Sequence, residues 1–161
     1  MDALWLPYRR RREEIEEAVA AHGASVKAIF AHVDVAGADF NEAFQSTEGV
    51  HPSLFPSAIP TYSGHYHKPH TVRGTNIHYV GSPYQLNFGE QNQFKMLAVL
   101  DGRTWRKVED IPIDVGPRHF TLDAGKGAIR ESELGHMLRE GDRVRILNCS
   151  EDELNRFPQV L

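Results

Sequence analysis

The run Val26-Lys27-Ala28-Ile29-Phe30-Ala31-His32-Val33-Asp34 constrains this chain more than any other stretch. A short apolar run after a helix-ending glycine reads as a buried strand. His32 stands at its end, where the chain breaks into Val35-Ala36-Gly37-Ala38-Asp39. Ligand sites in α/β folds gather at the ends of parallel strands. A histidine on an apolar strand is more often a hydrogen-bonded core residue than a ligand. A second source of histidine at the same point would reverse that preference.

Gly64-His65-Tyr66-His67 is the candidate for that source. Two imidazoles one residue apart are entered through a glycine and left through Lys68-Pro69. In an extended backbone, side chains i and i+2 point the same way, so both rings can face one site. Neutral imidazole is the commonest protein ligand for divalent transition metals. The glycine lets the backbone approach a site closely. Nine histidines in 161 residues will also pair by chance, so the spacing alone reads as two solvated rings.

The rest of the chain supplies ordinary α/β elements. Arg9 to Arg12 followed by Glu13, Glu14, Glu16 and Glu17 begins a helix. Arg9/Glu13, Arg10/Glu14 and Arg12/Glu16 are spaced to pair, each contributing a few tenths of a kcal/mol. Ile15, Ala18, Val19 and His22 form its inward stripe, and Gly23 stops it. Four arginines suggest phosphate binding, but four glutamates balance them, and a solvated face is expected. Residues 37–60 read as a long loop with a short helix near Asn41–Phe44. Residues 71–83 read as a hairpin turning at Gly74-Thr75-Asn76. Residues 94–108 read as a second hairpin with a tight primed turn at Asp101-Gly102.

Pro112-Ile113-Asp114-Val115-Gly116-Pro117 is the best boundary, dividing the chain into 1–113 and 114–161. Beyond it are expected a strand at 118–122, a helix near 131–140, a strand at 142–147 and a helix opening at Ser150. That β-α-β-α unit is expected to be cut short in its last helix.

Composition bounds the function. Apolar residues make up 40% and charged residues 25%, near globular averages. The net charge of −4 gives no bulk attraction for nucleic acid, so any DNA contact needs a local patch. A single cysteine, Cys149, excludes an intrachain disulfide and fits a reducing cytoplasm. No apolar run approaches the ~20 residues of a membrane span, and the first residues lack a signal-peptide layout. A cytoplasmic protein with no membrane partner is the expectation.

Phe30-Ala31-His32-Val33-Asp34-Val35-Ala36-Gly37-Ala38, Gly64-His65-Tyr66-His67-Lys68-Pro69 and Ile77-His78-Tyr79-Val80-Gly81-Ser82-Pro83-Tyr84-Gln85-Leu86-Asn87-Phe88-Gly89-Glu90 resemble the last motifs of calcineurin-like metallophosphoesterases. The SbcD-like DNA-repair nucleases and their phage relatives are the most similar branch. The resemblance covers residues 4–113 and fades beyond them into the start of a small α+β cap. It implies the second half of an αββα sandwich with a mixed sheet and hairpins. It also implies two divalent ions, manganese first, with zinc, iron or magnesium as alternatives. His32 and His65 would bind one ion and His67 the other. Lys68, His70 and Arg73 would bind substrate phosphates, or serve as loop polar residues. Gly81 and Ser82 would shape a turn beside the metals. His78 is more readily structural than supporting the site, and Asn87 and Glu90 would touch a partner. His22, His51, His119 and His136 are read as solvated or structural.

The same resemblance exposes a gap. The family orders five motifs, and D-x-H, G-D-x-x-D and G-N-H are all missing from this sequence. The bridging carboxylate and the acid histidine therefore have no counterpart. Two ions clamp the attacking and leaving oxygens of a phosphoryl displacement, and bridging them takes oxygen ligands, because a neutral imidazole cannot span two cations. Three histidines alone match the ligand count of a single-zinc hydrolytic site.

Three readings follow. The first is a phosphodiesterase or DNA nuclease, incomplete without a missing N-terminal half, with DNA and an SbcC-like ATPase as implied partners. The second is an inactive remnant acting as a binding or assembly module. The third is a single-zinc hydrolase on His32, His65 and His67. An incomplete sandwich should also leave Ile29, Val33, Leu97 and Val99 partly uncovered and promote homo-oligomers.

Overall fold

The computed structural model describes residues 2–40, 44–126 and 135–154. The helix expected near 41–44 falls outside those residues except for Phe44, and of the helix expected near 131–140 only residues 135–140 are described, with 135–137 helical. The described chain is mixed α/β with a mixed sheet and few helices, and it divides into two compact units. The first comprises Met1–Pro83 and Phe94–Asp114; the second comprises Tyr84–Gln93 and Val115–Leu161. Among the described residues, no helix is long and apolar enough to cross a membrane.

The first unit is built on a five-stranded sheet. Strands β1 (Ala3–Leu6), β2 (Ala28–His32), β3 (Thr61–Gly64), β4 (His70–Thr71) and β5 (Ile77–Tyr79) lie in the order β1-β2-β3-β5-β4. All neighbours are parallel except β4 and β5. Period-2 alternation gives the sheet two different faces. Leu4, Leu6, Ile29, Ile77 and Tyr79 point to one face, where helix α1 (Arg12–His22) covers them with Ile15 and Val19. Trp5, Phe30, Tyr62 and His78 occupy paired positions and form an aromatic row on the other face. Trp5 stacks on Phe30 at 4.3 Å, and Tyr62 stacks on His78 at 5.4 Å.

Gly23 ends α1, though in right-handed helical conformation rather than the left-handed one of a usual glycine cap. Its role is packing: a Cβ there would meet Val19 Cγ1 at 2.9 Å. His22, expected on the inward stripe, is exposed. Only Arg12–Glu16 of the expected ion pairs forms; Glu14 instead takes both Arg9 and Arg11.

Strands β6 (Lys95–Leu100) and β7 (Lys107–Ile113) form the antiparallel hairpin of the same unit. The tight two-residue turn is not present. Asp101 Oδ1 accepts from the backbone N–H groups of Arg103 and Thr104 and from the Thr104 hydroxyl. That side chain organises a longer turn through residue 106, with Trp105 at φ +59°. The bonds from Thr104, then Arg103, also hold the Asp101 carboxyl below its ordinary pKa.

The expected apolar exposure is only partly present. Ile29 is fully buried and Val33 nearly so, because α1 and the segment around Phe55 close over them. Leu97 remains exposed, opposite Ile111 in the hairpin register.

In the second unit, β8 (His119–Asp123) pairs in parallel with β9 (Arg143–Leu147). A short helix α2 (Glu151–Leu154) follows. Glu90 does not present itself to a partner: it is buried and accepts from Leu86 N–H and Asn87 Nδ2. His119 is likewise buried, packed edge-on against Phe88.

Asp142 anchors this unit. Its side chain is 2% exposed and accepts from Arg118 Nε at 3.0 Å and Arg139 N–H at 2.9 Å. Burial works to raise its pKa, but the bonds from Arg118 and Arg139 outweigh it and hold the group below its ordinary value. A depressed carboxyl stabilises the fold above its unfolded pKa and loses that contribution as pH falls through the folded value. Asp142→Asn is expected to cost about 1–3 kcal/mol at neutral pH. The cost should shrink as pH drops below about 4, and urea titrations across that range check it.

Candidate metal centre

The carboxyl-terminal ends of β1, β2, β3 and β5 form one edge of the parallel part of the sheet. His32 ends β2 and Gly64 ends β3, directly opposite each other in the register. A Cβ on Gly64 would lie 2.9 Å from His32 Nδ1. Glycine is therefore required here for space, because the imidazole rests against its bare Cα. The exposed ring of Tyr8, just beyond β1, approaches His32 edge-on at 6.2 Å.

His65 follows at φ +93°. That is an uncommon conformation for a residue with a side chain and costs on the order of 1–3 kcal/mol, a cost often found at functional sites. It also changes the geometry expected from the sequence. The strand stops at Gly64, so extended-chain alternation does not align His65 with His67. Instead the twist at His65 sets its ring edge-on to His32, with centroids 5.6 Å apart. His67 lies within electrostatic range of the same ring. Burial, then His65, then His67 lower the His32 pKa, which favours the neutral imidazole that can ligate a metal.

Tyr66, between the two exposed histidines, points into the core. Its hydroxyl donates to Asp34 Oδ1. Burial first, then that carboxylate, push its pKa up to about 12, so it remains a donor. Tyr79 fastens the loop after β2: its hydroxyl donates to Val33 O at 2.9 Å and accepts from Val35 N–H at 3.0 Å.

The other side chains singled out from the sequence have more structural surroundings. His70 has both ring nitrogens engaged by backbone, with Nδ1 at 2.8 Å from Lys68 O and Nε2 accepting from Asp39 N–H. It also stacks on Tyr79 at 4.9 Å. This ring fastens two loops together and has no nitrogen left for a phosphate. Lys68 lies 3.8 Å from the Asp39 carboxylate. Arg73 is exposed in the turn between β4 and β5. His78 bonds Thr71 and Asn76 through its two nitrogens and is structural.

Lys95 was not legible as part of this region. It is 5% exposed, and its ammonium donates to His67 O and to Ser82 Oγ. The available signal was a lysine interrupting the apolar run of residues 94–100. Gly81, at φ +79°, completes the turn: a Cβ there would lie 2.9 Å from His67 O.

The side chains gathered at this edge are the imidazoles of His32 and His65, with His67 beside them. Two imidazoles touch, a third stands nearby, and the nearby loop carboxylates Asp34 and Asp39 are engaged by Tyr66 and Lys68. Among the described residues, no three His, Cys, Asp or Glu side chains are gathered closely enough to close round one ion. The sequence matches no protein-family model and no curated protein sequence.

Proposed function

We propose that this chain is part of a calcineurin-like metal-dependent phosphoesterase of the phosphodiesterase or DNA-nuclease type. In this reading the first unit corresponds to the second half of the αββα sandwich. The observation that carries it is the seat of His32 against Gly64, with the ring of His65, whose backbone is strained, beside it. Sequence order supports it, since the G-H-x-H segment and the Gly81-Ser82-Pro83 turn meet at His67 O.

His32, His65 and His67 would hold divalent metal, which polarises a phosphoryl oxygen and stabilises the charge that develops on it. Tyr66 and Tyr79 hold the two histidine-bearing loops. Arg73 is an exposed cation available to a phosphate. The bridging carboxylate comes from a partner segment, because the sequence has no D-x-H, G-D-x-x-D or G-N-H motif.

The experiment is hydrolysis of bis-p-nitrophenyl phosphate with manganese. The chain alone should show no turnover above background. Adding a polypeptide that carries the three missing motifs should produce turnover that His67→Ala abolishes. Robust turnover by the chain alone, lost in His67→Ala, would mean that three histidines suffice.

A second reading is a binding or assembly module without chemistry. The engagement of Asp34 and Asp39 within the fold favours it. Failure of the complementing polypeptide to restore any turnover would support this alternative.

A further inference from the structure

We propose that Lys95 is the positioning residue for His67, fixing that imidazole through its backbone carbonyl; the inference rests on His67 being a metal ligand. Lysine is almost never buried unless its charge is paired or hydrogen-bonded, because an unsatisfied buried charge is costly. Lys95 is 5% exposed at the start of β6. Its ammonium donates to His67 O at 2.9 Å and to Ser82 Oγ at 2.8 Å. A hydrogen bond from an ionised donor is shorter and stronger than a neutral one.

The same carbonyl accepts from Ser82 N–H at 3.1 Å. Two good donors occupy the two lone pairs of one carbonyl oxygen. Since the peptide unit is planar, fixing that oxygen fixes the plane joining His67 to Lys68. The direction in which the His67 side chain leaves the backbone is then constrained from below. Gly81 keeps the space clear, because a Cβ there would press on His67 O at 2.9 Å and on Pro69 Cγ at 2.7 Å.

His32 and His65 have different supports. His32 leaves a regular strand, and His65 is set by the backbone turn at its own φ and by the packing of Tyr66. Loss of Lys95 should therefore affect one histidine of the three. Supporting residues behind a metal ligand commonly change affinity about 10–100-fold when removed.

Lys95→Met keeps most of the length of the side chain and removes the donor. The histidine Cε1–H signals of the metal-free chain, assigned with single His→Gln variants, report each ring separately. The expected result is a shifted or broadened His67 signal, with His32 and His65 unchanged, and zinc binding weakened at least about tenfold. Ser82→Ala, which removes one ammonium partner, should move the His67 signal in the same sense by less. It serves as the test if Lys95→Met does not fold.

An unmoved His67 signal in the folded Lys95→Met variant would overturn the proposal. So would a joint shift of all three histidines in proportion to lost thermal stability, which marks general loosening. If the unaltered chain binds no zinc, the metal reading fails, and the His67 signal still decides the role of Lys95.

Discussion

Ile29→Ala is expected to destabilise the first unit by about 2–5 kcal/mol, the range for truncating a fully buried isoleucine. Ile29 has no exposed surface and lies in the second strand between Leu4 of the first and Thr61 of the third. Ile15 and Val19 belong to the same apolar cluster, and Phe55 closes it. Removing three carbons there loses transfer free energy and leaves a cavity that neighbours on regular elements fill poorly. Domain stabilities of about 5–15 kcal/mol make that a large fraction of the total. Leu97→Ala, at a half-exposed hairpin position, should change stability far less. Urea unfolding with an unchanged m-value separates the two variants. Equal, small effects would mean that the core over the helix-covered face is not tightly packed.

That contrast bears on how much of the fold was legible. The strand ending in His32 could be read because its apolar run ends in residues that break a strand. The hairpins could be read from their turn residues, although the second strand of the later one runs over Lys107–Ile113 instead of 103–108. The cover over Ile29 could not, because it depends on where the long segment between the second and third strands returns. Val35 bridges Val50 there, with Gly49 at φ +87° against Asp34, and no periodic signal announces such a return. The turn after Leu100 differs from the expected tight one for a related reason. Asp101 acts through its side chain as a cap, an effect that the Asp-Gly pair does not distinguish from a primed turn.

The candidate site was legible in composition and less so in geometry. Gly64 and His32 could be paired only once the parallel register placed them opposite each other. The left-handed backbone at His65 replaces the extended spacing that H-x-H suggests. Lys95 carries a charge that sequence reasoning assigns to the surface, and its burial follows from the two acceptors supplied by His67 and Ser82. His70, read beside the histidine pair as either a phosphate ligand or a loop polar residue, has both ring nitrogens occupied by backbone groups.

The second large effect concerns metal itself. His65→Ala removes the ring that faces His32, which in the proposed site is its nearest co-ligand. Two neighbouring imidazoles bind a divalent ion far more tightly than one, since the second ligand binds at high effective concentration. Loss of one should reduce zinc affinity by at least about a hundredfold, in keeping with the 10²–10⁴ span of such chelate gains. The fold should persist, because the His65 side chain is exposed and alanine meets the positive φ with the same Cβ that histidine has.

Zinc binding by isothermal titration, with the unaltered chain and His65→Ala side by side, tests the central claim most directly. A site on His32, His65 and His67 predicts one saturable equivalent per chain, weakened at least about a hundredfold in the variant and competed away by manganese at high concentration. No saturable binding, or binding of equal strength in His65→Ala, would contradict it.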